Sequence, residues 1–364
     1  MKFNPGISGG RRSRPATRSR RPRAAGRSAV VASVAVLGAA LALTGFMAAF
    51  LVPAAAQTGA RARVVVFKTR DNAFYTPAAD AFKAGLKARG YDAKDRVDLS
   101  VVALGGKGED DARLVRDQLR KNPRLVVTLG TDATRLVAGE KPAMPVLFGM
   151  ILDPVGLGLV RSHEAPGGAF TGTTLLVSPG KQIDALLQAA PKTRRIGVLY
   201  TDGDRTSLSL LSEARPEAKR LNVEIVAVPT AEGKHGQSLQ QLAGQADALW
   251  LIPDPASTGP QALAETLRFA REQKLPVLGA SGGTVRAGAL LALSASLPDL
   301  GDVIAEMAVQ ILDGNAAPAQ MRVRGPRRTV LSLNLESARF LSIEVPDAVL
   351  QLADEVADPP AEAK

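Results

Sequence analysis

The chain has 364 residues, 46% of them hydrophobic, no cysteine and a formal net charge of +11. Without cysteine there is no disulfide framework, no thiolate nucleophile or metal ligand, and no residue for a lipobox anchor. The charge sits in the leader: residues 1–56 hold nine basic residues and no acid, the remainder carries +2, and the basic balance therefore implies no nucleic-acid face.

Lys2, Arg11, Arg12, Arg14, Arg18, Arg20, Arg21, Arg23 and Arg27 precede an apolar run from Ala29 to Val52, and Ala54-Ala55-Ala56 stands before Gln57. A positive flank, an apolar segment and a small-residue site read as an export signal. The run is also long enough to span a bilayer of roughly 30 Å, which leaves a cleaved leader and a retained anchor both open. Arg20-Arg21 lacks the apolar residues that follow a twin-arginine pair and reads as part of an ordinary basic flank. The expected location is the periplasm or the outer face of the cytoplasmic membrane. Beyond the leader, the chain is long enough for two lobes of about 150 residues. With only 4% aromatics, their cores must be Ala, Leu and Val, as where helices cover both faces of a parallel sheet.

In chain order, strands alternate with helices. Val64 to Phe67 precedes a helix near Pro77 to Arg89; Leu99 to Ala103 precedes one near Glu109 to Lys121; Leu125 to Leu129 precedes one from Asp132 to Gly139; Val146 to Met150 follows. Short apolar runs separated by helical patterns predict buried parallel strands joined by right-handed crossovers, so residues 62–170 form one open sheet. After a turn-rich stretch, Glu164 to Gly168, the alternation restarts. It gives helix 180–190, strand 196–200, helix 208–221, strand 224–228, helix 239–243, strand 248–252, helix 260–273 and strand 277–279. A strand at 289–293, a helix at 299–313 and a strand at 330–334 close the pattern.

Asp153-Pro154-Val155-Gly156-Leu157-Gly158-Leu159-Val160-Arg161-Ser162, followed by Pro166-Gly167-Gly168 and Thr171-Gly172, resembles the substrate-binding proteins of bacterial ABC importers, in the family that includes tryptophan-type binders. Gly197 to Tyr200, Ala246 to Pro253, Lys274 to Val277 and the stretch from Ala280 to Asn334 match in the same order. The resemblance implies an α/β type 1 periplasmic binding protein: two Rossmann-like lobes with parallel sheets joined by a three-strand hinge. It places residues 62–172 plus 295–328 in one lobe and 173–294 plus 329–356 in the other; residues 357–364 read as a disordered tail from their terminal position. It also implies capture of a small organic molecule such as an amino acid, an ABC permease as membrane partner, a monomer, and no catalysis.

Open α/β sheets bind ligands beyond the carboxyl ends of their strands, here in the cleft between the lobes. Five loops supply the candidates. The first offers Arg70, Asn72 and Phe74. The second offers Thr131 and Asp132, with Thr131 as a helix cap and free amides facing an anion. Asp153 ends the next strand and is read mainly as a turn former. In the second lobe Tyr200, Asp202, Arg205 and Ser207 form one group, Asp254 and Ser257 another, and Ser281 with Gly282 the fifth loop. Many relatives have an acid in this fifth loop that could balance a ligand ammonium; this chain has none, which weakens an amino-acid ligand unless Asp202 or Asp254 substitutes.

Other classes fit less well. A dehydrogenase would need a glycine-rich turn after the first strand, and Gly105-Gly106-Lys107-Gly108 lacks P-loop spacing, so it reads as a surface loop. His163 and His235 stand in polar contexts without metal-ligand spacing and read as solvated. No nucleophile elbow occurs, and no cofactor or metal is expected. A sensor that presents its closed form to a chemoreceptor or kinase remains open beside transport.

Overall fold

The structure is a computed structural model, and it describes residues 61–358 apart from 93, 94, 255 and 258. The predicted leader and residues 359–364 of the predicted tail lie outside the described residues.

Five strands, β1 (Ala62–Lys68), β2 (Val97–Ala103), β3 (Leu125–Leu129), β4 (Val146–Ile151) and β5 (Phe170–Thr174), form one parallel sheet in the order β2-β1-β3-β4-β5. Strands β3 and β4 are buried along their whole length, which is why they read as unbroken apolar runs. Alternation sorts the faces of β1. Val64 and Val66 join α1 (Thr76–Ala88) and α9 (Leu297–Leu312) on one side; Val65 and Phe67 meet α2 (Glu109–Leu119) and α3 (Thr131–Gly139) on the other. Helices α1 and α9 pack closely because Gly301 lies against the backbone of Ala78: a Cβ there would come within 2.2 Å of the Ala78 carbonyl oxygen.

Seven strands make the second sheet: β6 (Arg195–Thr201), β7 (Glu224–Thr230), β8 (Ala248–Trp250), β9 (Val277–Gly279), β10 (Leu291–Ala295), β11 (Thr329–Asn334) and β12 (Glu355–Ala357). Their order is β12-β11-β10-β9-β8-β6-β7, with β10 and β11 antiparallel. Helices α4 (Pro179–Ala189) and α5 (Arg205–Arg220) cover one face, joined by α10 (Leu335–Phe340) and α11 (Asp347–Leu352). On the other face lie α6 (His235–Gln240) and α7 (Pro260–Glu272). A short helix, α8 (Gly282–Arg286), follows β9.

Three segments run between the sheets: 175–178 from β5 to α4, 296 from β10 to α9, and 325–328 into β11. Val177, Ala295 and Leu300 are buried together with Leu175, Leu293 and Leu297 around them, so the crossings share a small apolar core. On the first-lobe side, Thr174 N–H donates to the Arg324 carbonyl (2.9 Å) and Arg324 N–H to that of Gly172 (2.9 Å). Residues 324–328 are also tied down by charge, since Arg327 pairs with Asp299, Asp302 and Glu306, and Arg324 with Glu306.

Two details differ from expectation. The last strand and the two short helices before it were not legible as elements. The tail is ordered at its start, since Ala357 ends β12 and Asp358 pairs with Arg339 at 2.7 Å. Among the described residues, no helix is long and apolar enough to cross a membrane.

Candidate functional site

The carboxyl ends of both sheets carry the predicted loops, and the sequence-predicted residues divide into those left open and those consumed by the scaffold. After β1, Lys68 is buried and its Nζ donates to Asp71 (2.7 Å) and Thr76 Oγ1 (3.3 Å). Asn72 turns inward on its own loop, accepting from the amides of Phe74 (3.0 Å) and Tyr75 (3.3 Å). Phe74 remains 44% exposed and meets Tyr75 edge to face at 5.1 Å. Arg70 donates to the Thr69 carbonyl and lies over Gly106. The 105–108 loop, though glycine-rich, folds onto itself: the Asp111 carboxylate accepts from the amides of Gly105 (2.8 Å) and Lys107 (2.9 Å), which hold its pKa below the usual range.

At the second loop, Thr131 does not cap its helix. The N-cap is Gly130 at φ +97°, a conformation open to glycine, and Thr131 is the first helical residue. The hydroxyl serving this helix start is that of Thr69, which accepts from Ala133 N–H (3.2 Å) and donates to the Leu129 carbonyl (3.0 Å). One amide expected to face a ligand is therefore satisfied from the neighbouring strand end. Tyr75 closes over Gly130, and burial raises its phenol pKa. Thr69 and Tyr75 are the site-facing residues that loop reading passed over; Tyr75 is one position beyond the aromatic singled out. Asp132 stays exposed.

In the second lobe, Asp254 is the centre of a buried network. It is 1% exposed and accepts from Thr201 N–H (2.6 Å), Thr201 Oγ1 (2.7 Å), Ser207 Oγ (2.6 Å) and Ala256 N–H (2.9 Å). Ser207, with no exposure, gives its backbone amide to Asp204, the N-cap of α5 (2.8 Å). The Asp254 carboxylate thus joins the loop after β6 to the loop after β8, and both its oxygens and the Ser207 hydroxyl are engaged within the lobe. Asp202 and Arg205 are exposed, and Tyr200 is partly buried against the lobe core.

Ser257 is 5% exposed and lines a small cavity with His235 and Thr266. His235 itself corrects the solvated reading: it is 6% exposed, with Nε2 at 2.8 Å from Thr266 Oγ1. The Thr266 hydroxyl also lies 2.9 Å from the Ala262 carbonyl, which ties the imidazole to the backbone of α7. Burial pushes this imidazole's pKa down.

The fifth loop is not a loop for long, since Ser281 starts α8. Its amide donates to Thr284 Oγ1 (3.2 Å), whose hydroxyl returns to the Ser281 carbonyl (2.7 Å). Gly282 packs toward Glu355 and Ser332 on the outer strands of the sheet.

The two lobes touch where Thr206 Oγ1 donates to Asp153 Oδ2 (3.3 Å), while Asp153 Oδ1 takes the Gly156 amide (2.7 Å). Asp153 therefore both forms its turn and meets the other lobe. Beside this contact runs an open groove of about 490 Å³ lined from both lobes.

Residues 65–357 match the family model described as ABC transporter substrate binding protein. The chain belongs to this family. It is thus a substrate-binding protein of the ABC type, built for ligand capture in import. It is 24% identical over 273 residues to a tyrosine-binding protein of Clostridioides difficile strain R20291, an alignment spanning 74% of this chain and 78% of that one. Two solved structures show the same fold. An ABC domain in complex with L-Trp from Streptococcus pneumonia is 22% identical with a TM-score of 0.65, over 82% of this chain and all of that one. The ligand-free, open structure of a substrate binding protein with adhesive properties from Clostridium difficile is 23% identical with a TM-score of 0.71, over 82% and 99%. The type 1 periplasmic binding protein fold, expected from the resemblance, is the fold of this family member. Among the described residues no group of acids and histidines could hold a metal ion.

Proposed function

We propose that this protein works outside the cytoplasmic membrane, closes its two lobes over a small organic molecule and delivers it unchanged to an ABC permease. The observation that carries the reading is the hydrogen bond from Thr206 to Asp153, which joins loops at the carboxyl ends of two separate sheets. Three short crossings connect those sheets in the chain, so a ligand touching both sets of loops favours their approach. The open side chains around the cleft are those of Arg70, Phe74, Asp132, Tyr200, Asp202 and Arg205. Phe74 supplies an exposed aromatic face, and one relative is a tyrosine-binding protein and another is solved in complex with L-Trp, which supports an aromatic amino acid or a related compound as the first class to test. With Asp254 saturated, Asp202 or Asp132 is left to meet a ligand ammonium.

The test is a thermal-shift screen of amino acids, nucleosides and small organic anions, followed by solution scattering. A cognate ligand raises the melting temperature by mass action and shrinks the radius of gyration. A ligand that binds tightly without compaction, or that is converted into product, would refute the clamp.

A further inference from the structure

The groove beside the lobe contact is electrostatically unbalanced. Its volume of about 490 Å³ lies within the usual range for small-molecule sites. Asp153, Arg161, His163 and Glu164 line it from the first lobe, Arg205 and Ser209 from the second. Both acids are already engaged: Asp153 by the Gly156 amide and Thr206, Glu164 by Arg322 at 3.0 Å. The guanidinium groups of Arg161 and Arg205 are exposed and make no hydrogen bond or ion pair with any described residue. Arg205 and Ser209 are four apart on α5 and so share one face of the helix. Val155, 39% exposed, adds an apolar wall.

We propose that this groove is a subsite for a multiply charged small anion, with Arg161 of the first lobe and Arg205 of the second holding it between them. The inference rests on the two-lobed binding reading and deepens it. Two guanidiniums lining one groove, one from each lobe, present paired N–H donors that match carboxylate or phosphate oxygens. An anion held by both would couple the lobes more strongly than the single long Thr206 to Asp153 bond. The same chemistry has two sources, polycarboxylates and phosphorylated compounds.

Calorimetric titration of the purified protein with citrate and with pyrophosphate, against chloride at matched ionic strength, tests it. Saturable binding of either anion is expected, with Arg161→Gln and Arg205→Gln each weakening it about tenfold or more, as for charge-assisted bonds. A preference for citrate assigns the carboxylate source; a preference for pyrophosphate assigns the phosphate source. Both side chains are exposed, so the variants should melt with the wild type, which separates lost binding from lost folding. No saturable binding, or binding that both substitutions leave unchanged, overturns the subsite. If the wild-type protein compacts with a cleft ligand from the thermal-shift screen while neither anion binds it, the subsite falls alone and the clamp stands.

Discussion

Replacing Asp254 with Ala should damage folding more than ligand binding. The side chain is 1% exposed and accepts hydrogen bonds at 2.6–2.9 Å from described residues, two from backbone amides and two from hydroxyls. The hydroxyls of Thr201 and Ser207 can rotate toward other acceptors, whereas the amides of Thr201 and Ala256 cannot. Stranding a buried donor costs about 1–3 kcal/mol each, and the carboxylate's own desolvation cost, relieved by the substitution, offsets part of this. A net loss of about 3 kcal/mol follows, or a fall of roughly 6–12 °C in melting temperature for a domain of this size. Guanidinium unfolding followed by the fluorescence of Trp250, the single tryptophan and 2% exposed in the same lobe, measures it directly. Below the variant's melting point, affinity for a cleft ligand should change less than about threefold. A stability loss under about 1 kcal/mol combined with a large loss of affinity would show that Asp254 faces the ligand, and the scaffold assignment would fail.

His235 gives a pH signature. Its folded pKa lies below the ordinary value of about 6.5 because the ring is buried, so the unfolded chain binds the proton more readily. Its contribution is complete above about pH 6.5 and is lost as pH falls toward the folded pKa; His235→Leu should flatten the melting-temperature profile between pH 6.5 and 5, and an unchanged slope would contradict the burial. Asp302, held at a pKa of about 2 first by its hydrogen bond from Arg89 and also by Arg327, acts further down the same acid flank. Its stabilisation is present above about pH 4 and lost as pH falls toward 2. Asp302→Asn should reduce the acid sensitivity seen in melting curves over that window. Gly301→Ala should cost about 2–3 kcal/mol, because its Cβ would meet immobile backbone between α1 and α9; a chemical denaturation midpoint equal to wild type would mean the helices can separate freely.

The alternation of both sheets was legible because their central strands are buried on both faces and so appear as uninterrupted apolar runs. Strand β12 was not, because it is three residues long and largely exposed, too short for periodicity to register. Helix α8 was read as loop because Gly282 and Gly283 open it, and only the exchange between Ser281 and Thr284 fixes its start. Which polar residues face a ligand was the least legible part. Loop position predicts proximity to the cleft, but Asp254 and Ser207 bond each other across 47 residues of chain, and no local pattern marks such a pair.

A clamp needs loops that keep their shape while the lobes move, and a polar loop at a sheet edge is otherwise soft. Here the stiffening is internal to each lobe: Thr69 fixes the start of α3 in the first, and Asp254 fixes the loops after β6 and β8 in the second. The side chains left exposed on these rigid frames, Arg70, Phe74, Asp202 and Arg205, can then differ from one family member to another without disturbing the fold. Ligand choice in this chain should therefore follow the exposed set, and substitutions there should alter affinity while leaving the melting temperature of the unliganded protein nearly constant.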